Sequence, residues 1–307
     1  MAIIKKIYKS VQEVIADDRK SFARTPRKFA LKDWKNALRE TGRAMKSKRI
    51  GILSAGVAYF STLAVFPAIA ASIAILSFAL DNEDLEGAFT SIETYLPTDI
   101  GNLVSTQLEA ALANPSSGIF IIIFGILIAL FSISGAVTNI ISATNAIYET
   151  EETRKFVRLR LTSIVFIVLT GVVGLAVLGL LILNESFLVS IGIPGFIAMA
   201  IIVLRWVVIA LLVAVVLSVF YKYAPNRGNP HWQWVTWGSC IATTIWLIGT
   251  TLFFIYARYF AHFTESYSVF AGIIVLMTWL NLTAIVVLIG AQINYGLENQ
   301  TRARTTK

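Results

Sequence analysis

Residues 51–80 read GILSAGVAYFSTLAVFPAIAASIAILSFAL, and together with Ile50 they form a run without a charged side chain. At 1.5 Å rise per residue, about 20 apolar residues cross a hydrocarbon core roughly 30 Å thick, so this run spans a membrane with about ten residues to spare. Pro67 lies near its middle. Proline removes a backbone donor and crowds the preceding turn, so a kink or short break between Ala64 and Pro67 is expected to absorb the surplus. Gly51, Ala55, Gly56 and Ala58, with Ser54, Ser61 and Thr62, let another helix come close, and in lipid it is packing that drives association. The first half of this span is therefore expected inside a bundle.

Composition agrees. In a chain of 307 residues, 56% hydrophobic against 14% charged excludes an ordinary soluble domain and fits one integral membrane domain. The single cysteine, Cys240, excludes an intrachain disulfide framework and any Cys-based zinc site. Ahead of the span, residues 1–49 hold fifteen Lys or Arg against five acids and supply most of the net charge of +8. The apolar run is too long and begins too late for a signal peptide. Ile3, Ile4, Ile7, Val11, Val14 and Ile15 recur at helical spacing, and a second amphipathic stretch from Leu31 to about Lys48 carries Leu31, Trp34 and Leu38 on one side. Basic amphipathic helices abutting a span read as membrane-surface elements, with Lys5, Lys6, Lys9, Lys46, Lys48 and Arg49 set against anionic headgroups in preference to nucleic acid.

Past the first span, residues 81–117 carry seven acids and no Lys or Arg, which places them away from the cytoplasm. Spacings of three to five among Leu85, Phe89, Ile92 and Leu96, then Leu103, Leu108 and Leu112, with Asp99 as N-cap, predict two short interfacial helices. The second span, about 119–147, is polar in its second half. Ser134, Thr138, Ser142 and Asn145 share a face, with Asn139 alongside, so the stripe is either glue between helices or a substrate-lining surface. Further spans are expected at about 161–183, 197–221, 235–257 and 268–293, and Trp232, Trp234 and Trp237 form an aromatic belt at the fifth. Arg205 is the ionisable side chain placed well inside a span, where a charge costs at least about 2.5 kcal/mol unless it finds a cavity, a carbonyl or an acid. It either snorkels or pairs with an outer acid such as Glu185, or it meets an anionic substrate group.

Apart from Arg205 and Arg258, every Lys and Arg falls on one side of these spans. The expectation is an all-α integral membrane protein with six transmembrane helices and both termini cytoplasmic. It divides into a basic amphipathic segment (1–49), a membrane domain (50–294) and a cytoplasmic tail (295–307).

The run Ala58-Tyr-Phe-Ser-Thr-Leu-Ala-Val-Phe-Pro67 comes first, followed by Asn145-Ala-Ile-Tyr148 with Arg154, Phe156 and Arg158. Tyr221-Lys-Tyr-Ala-Pro225-Asn226, Trp279-Leu280 and Gly290-Ala-Gln-Ile-Asn294 then follow in order. Together they resemble the YihY/BrkB family of bacterial inner-membrane proteins over about Arg43 to Asn294. The sequence departs from that pattern at Gln292, where a glutamate is usual, and at Tyr267-Ser268 in place of Tyr-Gly. The resemblance implies a multi-pass protein of the bacterial plasma membrane; family members have carried the labels ribonuclease BN and virulence factor, and links to envelope lipid transport.

Phosphodiester hydrolysis calls for a metal-binding cluster or a matched acid and base, and two separated histidines, His231 and His262, with no carboxylates in the spans, supply neither. No enzyme activity, metal or cofactor is expected. The favoured reading is a transporter or a protein that translocates lipid or another anionic substrate, with Arg205, Asn139, Ser134, Thr138 and Asn145 as substrate-binding candidates and anionic membrane lipids as partners. The alternative is a membrane scaffold that docks an envelope partner protein or a second copy of itself.

Overall fold

The computed structural model describes residues 31–79, 105, 119–227, 232–260 and 268–303, which are helical without a strand. In chain order the helices are α1 (Leu31–Ser47), α2 (Ile50–Ala79), α3 (Ile119–Ile147), α4 (Phe156–Ile182), the short α5 (Glu185–Ser190), α6 (Gly195–Tyr223), α7 (Trp232–Phe260) and α8 (Ser268–Ala303). Five contain stretches long and apolar enough to cross a membrane: Ile126–Ile147, Phe156–Leu181, Gly195–Tyr223, Trp237–Tyr256 and Gly272–Asn299. In α2 the described apolar stretch is the shorter Ile50–Val65. The segments 1–30, 80–104 and 106–118, with their expected surface helices, lie outside the described residues.

The long helices close a ring in which α2 packs on α3, α3 on α4, α4 on α6, α6 on α7, α7 on α8 and α8 back on α2. Helix α8 also reaches α3 and α1, which makes it the most enclosed element. Its segment from Val286 to Leu288 and from Gly290 to Asn294 is buried throughout. The core gathers Ile50 and Val57 of α2, Ile141 and Ile147 of α3, Phe166 of α4, Phe220 and Tyr221 of α6, and Leu288 and Ala291 of α8. Helices α4 and α6 contribute little to it and show mostly apolar surface outward, which suits lipid as solvent. The ends of α1, α3, α6 and α8 and the starts of α2, α4 and α7 meet at one end of the ring. Lys46, Lys48, Arg154, Arg158, Lys222 and Arg227 all belong to it, so it is called here the basic end.

Several expectations change. Helix α2 is not broken at Pro67 but runs through it. The hydrogen bonds before and after the lost donor hold the helical register, as membrane helices commonly tolerate. The small residues of α2 divide between two faces: Ser54, Ala58 and Thr62 are buried, whereas Gly51 and Gly56 have no neighbour within 4 Å of where a Cβ would stand. On α1 the buried face runs through Thr41 and Ala44, and Trp34 packs on Trp237 with ring centroids 5.1 Å apart, while Leu38 points out at 55% exposure. Helix α4 starts at Phe156, five residues ahead of the expected Leu161, because Arg160 finds partners on α3 and its charge does not end the helix. Helix α8 continues to Ala303, since Leu297 still packs against Ile293 in the cluster that includes Trp34.

Gly238 and Gly290 let α7 and α8 approach closely. A Cβ on Gly238 would meet the Gly290 carbonyl at 2.5 Å, and one on Gly290 would meet Ala242 at 2.7 Å and the Gly238 carbonyl at 3.0 Å. Only residues without side chains fit there.

Candidate functional site at the basic end

Residues that carry the resemblance converge where the helices end. Tyr148, one residue past α3, is buried under the Arg227 guanidinium, which lies 3.9 Å from its ring centroid. Arg227 pairs through Nη1 with Glu298 at 2.8 Å and donates Nη2 to the Tyr221 carbonyl at 2.9 Å. Burial pushes the Tyr148 hydroxyl up to about 12, against the pull of Arg227, so it stays protonated. The Asn294 side chain lies beside that hydroxyl and accepts the Gly238 N–H at 2.9 Å. Tyr221 donates its own hydroxyl to the Val287 carbonyl at 2.8 Å, which ties α6 to α8.

A second set of contacts closes the loop between α3 and α4. Asn145 donates Nδ2 to Glu152 at 2.9 Å and accepts the Asn226 N–H at 2.8 Å. Arg154 forks onto Glu152 through Nε and Nη2 and also donates to the Ala224 carbonyl at 2.8 Å. The hydrogen bonds from Arg154 hold the Glu152 carboxyl below its ordinary range, with burial opposing them. At the junction of α1 and α2, Lys48 donates to the Ile147 carbonyl at 2.5 Å, pairs with Glu149 at 2.9 Å and lies 4.1 Å from the Tyr295 ring centroid. Arg49 and Glu149 flank this corner with φ of 50° and 54°, the left-handed conformation that often ends a helix. Among the described residues three ion pairs thus seal the basic end: Lys48 with Glu149 and Arg227 with Glu298 join distant segments, and Arg154 with Glu152 closes the loop between α3 and α4.

The five candidate binding residues are not brought to one place. Asn145 belongs to the seal. Asn139 donates back to the Gly135 carbonyl at 2.9 Å within α3. Thr138 shares a 3.0 Å hydrogen bond with Ser163, and Ser134 accepts Arg160 Nη1 at 2.6 Å, so both face α4. Arg205 lies at the far end of α4, donating to the carbonyls of Leu183 at 2.9 Å and Leu181 at 3.3 Å. Those carbonyls have no partner in their own helix, and a cation there also answers the helix dipole. The Arg205 Nε is buried without a partner, and the side chain of Glu185 lies outside the described residues. Of the surface lysines and arginines expected to meet headgroups, Lys46 and Arg49 are exposed, Lys48 turns inward, and Lys5, Lys6 and Lys9 lie outside the described residues.

Sequence reasoning missed Arg160, which it assigned to the loop, and the pair Arg227 and Glu298, which stand 71 positions apart. Gly290, Asn294 and Tyr221 were visible only as pieces of the resemblance. Among the described residues no group of three or more His, Cys, Asp or Glu is placed to hold a metal ion.

Long apolar helices with outward apolar faces and a polar, ion-paired end define the class: an integral, multi-pass membrane protein. The chain matches the family described as virulence factor BrkB over residues 41–307 and belongs to that family. It is also similar to the ribonuclease-like protein YfkH of Bacillus subtilis (strain 168), with 34% identity over 250 residues, covering 78% of this chain and 87% of that protein. No solved structure matches it.

Proposed function

We propose that the chain is a six-span plasma-membrane protein, with its basic end in the cytoplasm, that translocates a lipid or another anionic substrate. The observation that carries this reading is a set of buried side-chain atoms without hydrogen-bond partners among the described residues: Asn281 Oδ1 and Gln292 Oε1 on one face of α8, Trp279 Nε1 on its opposite face, and Thr243 and Thr250 Oγ1 on α7. Asn281 and Gln292 form a row about 16 Å long, roughly half of a hydrocarbon core. Each orphaned polar group in lipid costs free energy unless water or a substrate satisfies it, and a purely structural bundle has no use for such a row. Arg205, Asn139, Ser134, Thr138 and Asn145 hold partners elsewhere, so the path is assigned to α7 and α8 alone. The reading involves no hydrolytic step, and the ribonuclease-like name of the Bacillus relative is not carried over.

Reconstitution in liposomes tests it. Wild type is expected to move a fluorescent phosphatidylglycerol between leaflets, and Asn281→Leu with Gln292→Leu to abolish that movement while the protein remains folded. Flux no faster than in protein-free liposomes would sink the proposal. The scaffold reading draws on α1, whose Lys35, Arg39, Arg43 and Lys46 are exposed while its other face is fixed on α8. It predicts loss of function on deleting residues 1–40 with flux unchanged.

A further inference from the structure

Arg160 stands one turn into α4, yet its guanidinium is directed away from the basic end. Thr138 is level with Ser163, since their hydroxyls share a hydrogen bond. On antiparallel helices this sets Ser134 about 10 Å deeper than the Arg160 backbone. The side chain spans that step: Nη1 donates to Ser134 Oγ at 2.6 Å and to the Phe131 carbonyl at 3.1 Å, and the guanidinium carbon lies 4.4 Å from the Phe131 ring centroid and 5.2 Å from that of Phe156. Long basic side chains near a helix end ordinarily reach outward to the interface. This one reaches inward.

Its partners among the described residues are all neutral, and no carboxylate pairs with it. Among the described residues only Nη1 is hydrogen-bonded; Nε and Nη2 make no hydrogen bond there and are not buried. The surface around it is apolar and open, with Leu127, Phe131, Phe156 and Leu161 each more than half exposed. A guanidinium left so in hydrocarbon is costly, and its unused donors form the planar fork that matches a phosphate or carboxylate. Gly135 lies beside the guanidinium, since a Cβ there would stand 3.6 Å from Nη1, in ordinary contact.

We propose that the groove between α3 and α4 binds the phosphate of an anionic membrane phospholipid on Arg160, with the acyl chains lying along Leu127, Phe131 and Leu161. Charge complementarity and the apolar walls together select a lipid phosphate over a soluble anion. As an entry point for a translocated lipid, the site rests on the function proposed above; as a binding site, it stands without it.

Native mass spectrometry of the full chain in mild detergent, titrated with phosphatidylglycerol or phosphatidylcholine, tests the site. Wild type is expected to retain one phosphatidylglycerol in preference to phosphatidylcholine, and Arg160→Gln to hold it about tenfold more weakly, the loss of a charge-assisted fork. Gly135→Asp keeps the arginine but gives it an internal counter-ion, and the same weakening is expected even if Arg160→Gln does not fold. Undiminished phosphatidylglycerol in the folded variants, equal retention of phosphatidylcholine, or displacement by millimolar inorganic phosphate would each overturn the proposal. Wild type that retains phosphatidylglycerol but moves none across liposomes leaves the site standing and removes the translocation reading.

Discussion

At the residue scale, the seal of the basic end rests on side chains that each satisfy several groups, and Asn145 and Glu152 are its centre. Asn145 serves both Glu152 and the Asn226 backbone, so Asn145→Ala leaves the part-buried Asn226 N–H without its partner and Glu152 with Arg154 as its remaining side-chain donor, at a cost of about 1–3 kcal/mol. The Glu152 carboxyl is held below its ordinary value of 4.5 in the folded state, first by the hydrogen bonds from Arg154 and also by Asn145. A depressed carboxylate stabilises the fold above its unfolded pKa, and that contribution is lost as pH falls through the folded value. Thermal unfolding in detergent is therefore expected to hold steady from neutral pH down to about 5 and to weaken below that. In Asn145→Ala the carboxyl loses a donor and its folded value moves up toward the unfolded one, so the acid weakening should start at the same pH but be smaller, and Glu152→Gln should lose that acid step. An acid step of the same size in all three proteins would mean that Glu152 does not set it.

At the scale of elements, the crossing of α7 and α8 depends on Gly238 and Gly290. Gly290→Ala puts a methyl against Ala242, the Gly238 carbonyl and the Tyr221 hydroxyl, and overpacking of this kind costs about 1–3 kcal/mol. Gly56→Ala on α2 meets nothing within 4 Å and is expected to leave the unfolding temperature unchanged or slightly raised. Equal tolerance of both substitutions would show that the helices can separate there without loss. The same contrast marks what a sequence can disclose. Hydrophobic runs disclosed where the helices lie, because length and apolarity are local properties. Which glycine faces a neighbour is not local: Gly51 and Gly56 read as packing residues and face outward, whereas Gly238 and Gly290 meet only because two helices distant in sequence cross there. Arg160 was hidden for a similar reason. Its partners, Ser134 and Phe131, belong to another helix, and spacing along α4 says nothing of them.

At the scale of the whole molecule, the closed ring and the one-sided charge support a single orientation. Lysines and arginines cluster where α3, α6 and α8 end, and insertion favours keeping such segments in the cytoplasm. Charge bias along the chain is the ground for expecting this orientation, whereas neither the ring order nor the central place of α8 was legible, since those depend on contacts between helices far apart in sequence. Cysteine labelling tests the orientation directly, because Cys240 is the chain's single cysteine and Cys240→Ser gives a clean background. Lys155, at the start of α4, and Ser190, in α5 beyond its far end, are both exposed. A membrane-impermeant maleimide is expected to label Ser190→Cys in intact cells and Lys155→Cys only after permeabilisation. The reverse pattern would put the basic end outside. Labelling of both in intact cells would mean that α4 does not cross the membrane, and the Arg160 groove would then face water, where a lipid phosphate has no advantage over a free one.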